Sequence, residues 1–269
     1  MIHAKCNIVI RSLWPILLPF LVFVLHSLLF RSWIVDDAGV SFAYARNFIH
    51  GHGFVAQAGV EPVEGFSNPL WILLVSPFFI ADPVNPTVSV KLMSMGLILG
   101  SFALVAAINR CIFGQAWWAR VVTAAALTLT SVNTSFVVWT TSGLENPLYA
   151  FLSALYGLLS IMYATGNRFT VASRWSDALA AYAGLAAAGL ALTRPDGLIF
   201  LAAFPGVLAI RVANDASQWK TEGKRLLVFL VAALVPIAAY LVFRVAYFGD
   251  LYPNTYHAKG GGLYAERLY

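Results

Sequence analysis

Residues 35–71 read VDDAGVSFAYARNFIHGHGFVAQAGVEPVEGFSNPLW, and they form a polar stretch between hydrophobic segments. The stretch concentrates acidic, histidine, arginine and turn-forming residues in a chain of which only 11% is charged. Its main polar candidates are Asp36, Asp37, Arg46, His50, His52 and Glu64. Because the flanking segments are strongly apolar, we interpret it as an acidic functional loop held at a membrane surface.

The composition of the whole chain predicts a multi-pass membrane protein. The 269 residues are 60% hydrophobic, and the mean hydropathy is +0.76. Soluble domains contain about 45–50% apolar and about 25% charged residues, so this chain lies outside their range. Several apolar runs approach the ~20 residues that span a bilayer. The net charge of +5 is therefore attributed to membrane topology, and no nucleic-acid partner is expected.

The first apolar run sets the predicted orientation. Lys5 and Arg11 precede a run from Ser12 to Phe30 that is too long for a signal peptide and has no cleavage site after it. We interpret residues 12–35 as an uncleaved first span with a cytoplasmic N-terminus. Asp36 and Asp37 would then emerge on the extracytoplasmic face of the plasma (inner) membrane.

Two short helices are expected inside the loop. Asp37 to Ile49 has a helical period, which ends at the glycine turn around His52. Asn68 to Ile80 is apolar but only 13 residues long, which is more typical of an interfacial or re-entrant helix than of a span. If this segment crossed the membrane, most of the loops that contain basic residues would fall on the extracytoplasmic side. Keeping it on one side instead puts ten of the 17 basic residues on the cytoplasmic side: Lys5, Arg11, Arg110, Arg120, Arg168, Arg174, Arg211, Lys220, Lys224 and Arg225.

The predicted fold class is all-α, a multi-pass transmembrane helical bundle of about seven spans with an outer-face loop that carries short interfacial helices. The outer loop covers residues 36–87, six further spans lie within 88–247, and an outer tail covers 248–269. The six spans are Val88–Asn109, Val121–Trp139, Pro147–Thr165, Ala178–Leu192, Leu198–Ile210 and Leu226–Tyr247. We expect the spans to be nearly free of charge and the polar motifs to converge on the outer face.

Asp36 and Asp37 have two interpretations. Adjacent carboxylates at the start of a surface helix are stabilised by its dipole and need no other role. The functional interpretation is that one takes a proton from a hydroxyl while the other steadies it or binds a divalent cation, Mg or Mn. Glu64 would be the second metal ligand with Asp37, although it could equally be a turn residue. His50 and His52 are more typical of a polar turn than of a metal site.

The later polar motifs are substrate-binding candidates. Glu145 begins a predicted helix in the second outer loop, where the helix dipole alone would stabilise it. Arg194 and Asp196 interrupt two apolar helices; they could simply pair, but an arginine at the membrane edge also suits a phosphate. Asn254 and Lys259 lie in an aromatic, polar segment after the last span. This segment could equally be an interfacial belt with a polar tail.

Four separated motifs carry a family resemblance. They are DDAGVSFAYARNFIHGHGFV with EPVEGFSNPLW (36–71), TSGLENPLYAF (141–151), ALTRPDGLIF (191–200) and YFGDLYPNTYHAK (247–259). Together they resemble the GT-C superfamily of polyprenyl-phosphate-sugar-dependent glycosyltransferases, and within it the terminal arabinofuranosyltransferase group. The resemblance implies transfer of a monosaccharide from a polyprenyl-phosphate donor in the membrane to an extracytoplasmic glycan, lipid or protein.

The resemblance also implies roles for single residues. Asp36 would be the general base with Asp37 beside it, Glu64 and Glu145 the further acidic residues, and Arg194 a contact of the donor phosphate. The remaining substrate-binding candidates of this set are Arg46, Asp196, Asn254 and Lys259. Members of the superfamily are usually longer, so two alternatives stay open: a catalytically silent fragment or partner subunit of a longer enzyme, and, less favoured, a membrane transporter.

Overall fold

The structure is a computed structural model that describes residues 13–165 and 173–254, apart from the side chains of 173–175. Within these ranges the chain is helical and contains no strand. We number the α-helices α1 (Trp14–Ser27), α2 (Asp37–Ile49), α3 (Pro69–Val75), α4 (Phe78–Ala81), α5 (Thr87–Phe113), α6 (Trp117–Val132), α7 (Thr134–Thr140), α8 (Asn146–Ala164), α9 (Ser173–Thr193), α10 (Phe200–Asn214) and α11 (Trp219–Phe248). Short 3₁₀ turns follow α1 at Leu28–Phe30, precede α10 at Pro195–Ile199 and precede α11 at Ala216–Gln218.

Five described helices are long and apolar enough to cross a membrane: Thr87–Phe113, Asn146–Ala164, Ser176–Thr193, Pro195–Asn214 and Ala216–Phe248. A sixth candidate is the bent pair α6 and α7. The structure thus confirms a helical membrane bundle, with five or six candidate spans where about seven were predicted. The predicted first span is represented among the described residues by a shorter apolar helix over Trp14–Phe30. Its side chains Leu17, Leu21 and Leu25 are all more than half exposed, as expected of a helix that faces lipid.

Two predicted spans differ in shape from the expectation. The first ends at Phe30 rather than Val35, because the chain turns there and continues without helix to Asp36. The third, predicted as one helix from Val121 to Trp139, bends by 73° between α6 and α7. At the break the backbone of Asn133 is extended, and its side chain accepts a hydrogen bond from the Phe136 N–H. Asn133 therefore begins a new helix in place of continuing the old one.

The loop contains the helices that the sequence predicts. α2 has the predicted bounds, Asp37–Ile49, and the apolar segment 68–80 forms the short helices α3 and α4. These pack through a core that includes Tyr44, Phe66, Trp71 and Val75. Trp71 is fully buried, and its indole Nε1 donates to the Gly143 carbonyl at 3.0 Å. The loop is thereby fastened to the segment between α7 and α8.

The spans pack through small residues, as membrane helices do when no hydrophobic effect drives them together. On α9, a Cβ added at Gly184 would lie 2.4 Å from the Phe229 carbonyl and 2.9 Å from the Ala232 Cβ of α11. At the end of the bundle away from the loop, α8, α10 and α11 share a buried ionic cluster. Glu222 of this cluster is 1% exposed and contacts Arg211, Arg225 and Tyr163.

The predicted spans are nearly free of charge, as expected, and contain only Arg31, Lys91 and Arg244. The helices of the structure extend further and include more charged residues near their ends. Lys91 lies one turn inside α5, and Arg244 lies just over one turn before the end of α11. Both are near the loop, whereas Glu222 and Arg225 lie near the opposite end of α11. A buried charge is tolerated in a membrane protein when a partner satisfies it, and all four of these side chains have polar partners.

Candidate functional site

A polar network joins the loop to the second and third motifs. The Asn68 Nδ2 donates to Glu145 Oε2 at 2.8 Å and to the Ser41 Oγ at 3.1 Å. Arg194 Nη1 donates to the other oxygen of Glu145, Oε1, at 3.1 Å. Ser41, Asn68 and Glu145 are each less than a tenth exposed. One carboxylate, that of Glu145, thus fixes α2, the start of α3 and the turn after α9 relative to one another.

Arg194 is the accessible member of this network. Its side chain is 38% exposed, and its Nε donates to Asp196 Oδ1 at 3.1 Å. The guanidinium also lies over the ring of Tyr149, 5.7 Å from its centroid. Burial lowers the pKa of Arg194, but the hydrogen bond and charge of Asp196 and the charge of Glu145 outweigh it and raise the pKa. The guanidinium therefore stays charged, with part of its surface open to a ligand.

Glu64 belongs to a second polar cluster at the same end of the bundle. Its Oε1 accepts from the Tyr240 hydroxyl at 2.5 Å and from Arg244 Nη2 at 3.1 Å. Arg244 Nε lies 2.7 Å from Oε2, an ion-pair contact without hydrogen-bond geometry. Arg244 Nη1 also donates to the Leu251 carbonyl at 3.2 Å. Glu64 is only 3% exposed, so the first loop is bound to α11 and to the turn that follows it.

Sequence reasoning missed Tyr240 and Arg244. The signal was present, since an arginine inside an otherwise apolar span is a functional-site candidate by default. Tyr240 precedes it by four residues and therefore lies on the same face of the helix. The guanidinium lies over the Tyr240 ring, 5.0 Å from its centroid.

Two cavities open beside these clusters. The larger has a volume of about 810 Å³ and lies between α3, the end of α9, α11 and the turn after α11. Tyr240 and Arg244 contribute polar groups to its otherwise mainly apolar wall. The remaining lining residues are Ser67, Pro69, Ala191, Leu192, Pro195, Leu198, Ile237, Leu241, Leu251, Tyr252 and Pro253. The smaller cavity, of about 470 Å³, includes Trp139, Asn146, Tyr149 and Arg194 in its wall. Arg194 and the adjacent Pro195 therefore separate two spaces of ligand size.

Asp36 and Asp37 are exposed at the start of α2. The Asp36 Oδ1 accepts a hydrogen bond from the Asp37 N–H at 3.2 Å. Among the described residues neither carboxylate forms an ion pair with a Lys, Arg or His side chain. The preceding Val35 N–H donates to the Ser142 carbonyl at 3.1 Å, which places Asp36 beside the loop that leads to Glu145. The two carboxylates are thus positioned by backbone contacts and remain accessible.

The other predicted site residues are placed less centrally. The Arg46 side chain is exposed, and its carbonyl contacts the His50 Nδ1 at 2.7 Å. Asn254 is exposed, although its backbone N–H donates to the Glu64 carbonyl at 2.9 Å. Lys259 lies outside the described residues. The structure therefore brings Glu64, Glu145, Arg194 and Asp196 into two clusters at the same end of the bundle and leaves Arg46 at the surface.

The described residues contain no assembled set of ligands for the predicted divalent cation. No group of three or more His, Cys, Asp or Glu side chains there could hold a metal ion. Of the two predicted ligands, Glu64 is engaged by Arg244 and Tyr240, while Asp37 is exposed. A cation that used Glu64 would have to displace the Arg244 guanidinium. The Mg or Mn expectation stays a prediction, and no step below depends on it.

Comparison with known proteins supports the resemblance seen in the four motifs. No family model and no solved structure matches the chain. A terminal β-(1→2)-arabinofuranosyltransferase of Corynebacterium glutamicum is 27% identical over 85% of this chain and 33% of its own length. The Mycobacterium tuberculosis protein of the same name is 28% identical over 85% of this chain and 35% of its own length. The chain thus spans about a third of the length of the curated relatives it matches, and it is similar to terminal arabinofuranosyltransferases of the GT-C type.

Proposed function

We propose that this chain is a glycosyltransferase that moves a monosaccharide from a polyprenyl-phosphate donor to an extracytoplasmic glycan, lipid or protein. The names of the two relatives favour a pentofuranosyl donor, arabinofuranose. One observation carries the proposal beyond similarity: accessible carboxylates, a charged arginine and two cavities occur together at one end of a membrane bundle. The predicted N-terminus is cytoplasmic, which would put this end on the outer face of the plasma membrane.

The proposed reaction is a single displacement at the anomeric carbon. The Asp36 carboxylate takes the proton of an acceptor hydroxyl while the hydroxyl oxygen bonds to the anomeric carbon. The bond between that carbon and the phosphate oxygen breaks, and its electron pair leaves with polyprenyl phosphate. The leaving group gains one negative charge, which Arg194 would stabilise, because it is charged and more than a third exposed. Asp37 stands beside the base and is the alternative candidate for its role.

The arrangement of the larger cavity suits a lipid-linked donor. Its wall is mainly apolar along α9 and α11, and its polar groups lie at the loop end. A polyprenyl chain would occupy the apolar part of the larger cavity, and its phosphate would reach past Pro195 to Arg194, which lines the smaller cavity. Glu145 and Asp196 hold this guanidinium before the donor arrives, and the exposed Asp196 is the partner that a phosphate would replace. Asn254 and Lys259 remain candidates for contacts with the sugar or the acceptor.

A transfer assay tests the proposal. The chain, reconstituted in liposomes, would receive radiolabelled polyprenyl-phosphate sugars, including the arabinofuranosyl donor, with envelope glycan acceptors. We expect transfer to fall by about 10²–10⁴-fold in Asp36→Asn, the usual contribution of a general base. Glu61→Gln is the matched control, because Glu61 is an exposed carboxylate on the same loop. Wild-type transfer by Asp36→Asn together with loss in Asp37→Asn would reassign the base. Full activity of both variants would refute the mechanism.

The second candidate is a catalytically silent fragment or partner subunit of a longer transferase, which the names of the two relatives do not favour. It predicts that the chain purifies in fixed ratio with a longer membrane protein and that Asp36→Asn leaves the activity of the complex unchanged. A transporter remains the less favoured alternative. The charged side chains of the spans described above lie near the helix ends, whereas transporters hold substrate at the midplane.

A further inference from the structure

Lys91 holds the end of the first apolar helix. It lies one turn inside α5 and is only 8% exposed. Its Nζ donates to three backbone carbonyls, those of Phe30 at 2.8 Å, Arg31 at 3.0 Å and Trp33 at 2.7 Å. A lysine ammonium has three N–H donors, and here each has an acceptor.

The arrangement is specific rather than incidental. Burying an ammonium is costly unless it is paired and hydrogen-bonded, and no Asp or Glu lies within ion-pair distance of Lys91 among the described residues. Its partners are carbonyls at the end of the 3₁₀ turn Leu28–Phe30, where the helix supplies few further N–H donors. Of the three, the Phe30 carbonyl also accepts from the Trp33 N–H at 3.0 Å. This C-terminal end also carries the negative pole of the helix dipole, which favours a cation. An apolar side chain would remove the Lys91 donor from all three carbonyls, and among the described residues only that of Phe30 would keep a backbone donor.

The three bonds restrain the segment that leads to Asp36. Only Ile34 and Val35 separate Trp33, the last residue held by Lys91, from Asp36. Val35 is held from the other side through its N–H to the Ser142 carbonyl. Lys91 and the 142–145 segment therefore clamp the chain just before the acidic pair. The same segment carries Glu145, which holds Arg194.

We propose that Lys91 is a positioning residue for Asp36, setting the distance between this carboxylate and Arg194 through the backbone of residues 30–35. The proposal rests on the proposed function in assigning Asp36 a catalytic role. Lys91 itself touches neither substrate nor reacting atoms. A displacement of about 1 Å at the reacting groups can lower the rate by about 10²-fold. The three hydrogen bonds of Lys91 form a tether on residues 30–33, and loosening this tether should therefore lower kcat rather than the affinity for the donor.

The kinetic test uses Lys91→Met, which retains the length of the side chain but has no donor. We expect kcat to fall by about 10–100-fold with little change in the KM for the donor, the pattern of an interaction needed only at the transition state. Lys91→Arg keeps a charged hydrogen-bond donor and should recover part of the wild-type rate. If Lys91→Met does not fold, the rate of Lys91→Arg still tests the proposal. Lys220→Met is the matched control, since Lys220 is exposed at the other end of the bundle. Wild-type kcat in Lys91→Met would overturn the proposal.

A distance measurement separates this proposal from the proposed function. Spin labels at Gly39 on α2 and Val88 on α5, both exposed, would be attached in a chain whose native cysteines are replaced. We expect the distance distribution to broaden in Lys91→Met and to stay narrow in Lys220→Met. An unchanged distribution in Lys91→Met would refute the tether whatever the rates are. If the unmodified chain transfers no sugar, the proposed function fails. A broader distance distribution in Lys91→Met would then still establish the tether, but without a catalytic role for it.

Discussion

Arg244 on the last described helix lies against Glu64 of the first loop, 180 residues earlier in the chain, with its Nε 2.7 Å from Oε2. The pair is nearly buried and is joined by the Tyr240 hydroxyl. Because Arg244 also binds the Leu251 carbonyl, one guanidinium connects the loop, the last helix and the turn beside the larger cavity. The pair thus links the first loop to the last described helix at the candidate site.

Breaking this pair from one side should be strongly destabilising. Glu64→Gln leaves a buried guanidinium without a counter-charge, which typically costs about 3–5 kcal/mol. We expect the free energy of unfolding to fall by that order in detergent titrations. A double-mutant cycle with Arg244→Gln tests whether the cost comes from the pair: the double variant should lose clearly less than the sum of the two single losses. Additive losses would mean that the two side chains act independently.

A second prediction concerns the contact between α9 and α11. An added Cβ at Gly184 would come 2.4 Å from the Phe229 carbonyl, a backbone atom that cannot move aside alone. Gly184→Ala should therefore separate the helices and destabilise the bundle by about 1–3 kcal/mol, as overpacking does. Gly206→Ala on α10 is the matched control, because nothing lies within 4 Å of its added Cβ. There the better helix propensity of alanine should raise stability by up to about 1 kcal/mol. Equal effects of the two substitutions would argue against the close contact.

The sequence predicted the local elements well because their signals are local. The helical period of residues 37–49 and the length of the apolar run 68–80 gave α2 and the α3–α4 pair. The break at Asn133 was missed, because an asparagine inside an apolar run does not reveal whether it caps a new helix. The Glu145–Arg194 ion pair was not predicted as such, although both residues were assigned to the same end of the bundle.

The partners of Glu64 and the role of Lys91 lay beyond sequence reasoning for a different reason. Glu64 was predicted as a substrate-binding residue or metal ligand, with a turn residue as the alternative, but its pairing over 180 positions depends on how the helices pack. Lys91 lies within a predicted span, and no role was predicted for it. Its three partners are backbone carbonyls, whose positions cannot be inferred from the residue types. Which distant polar groups pair with each other is decided by the folded bundle, whereas the sequence shows only which residues are charged.

The stability of the loop should depend on pH through Tyr44. Its hydroxyl donates to the Val63 carbonyl at 2.5 Å and accepts from the Gly65 N–H at 3.0 Å. Burial raises the pKa of Tyr44 above its usual 10.0, the Glu64 charge raises it further, and the Gly65 hydrogen bond opposes them. The folded state therefore keeps the phenol proton that the unfolded chain loses near pH 10. This contribution to stability is complete below about pH 10 and is lost as the pH rises through the folded pKa.

Tyr44→Phe tests this dependence. The variant should be less stable by about 1 kcal/mol at neutral pH, because hydrogen bonds are lost. Its free energy of unfolding should then fall less steeply than that of the wild type above pH 10. Tyr182→Phe, at a phenol 58% exposed on α9, is the matched control. If the two variants showed the same slope between pH 9 and 11, chosen to bracket the tyrosine pKa of about 10, the assignment to Tyr44 would be wrong.

Gly143 should decide how closely the acidic pair approaches the Glu145–Arg194 pair. Its φ is +94°, and an added Cβ would lie 3.0 Å from the Ala38 Cβ and 3.2 Å from the Ile34 Cδ1. Gly143→Ala would therefore both strain the backbone and push α2 away from the 142–145 segment. Gly59→Ala isolates the first effect, because Gly59 has φ +82° on the same loop with nothing within 4 Å. Both variants should lose about 1–2 kcal/mol of stability to the left-handed backbone, but only Gly143→Ala should also lower the kcat of transfer. An equal kcat in the two variants would show that the contact with Ala38 does not position the acidic pair.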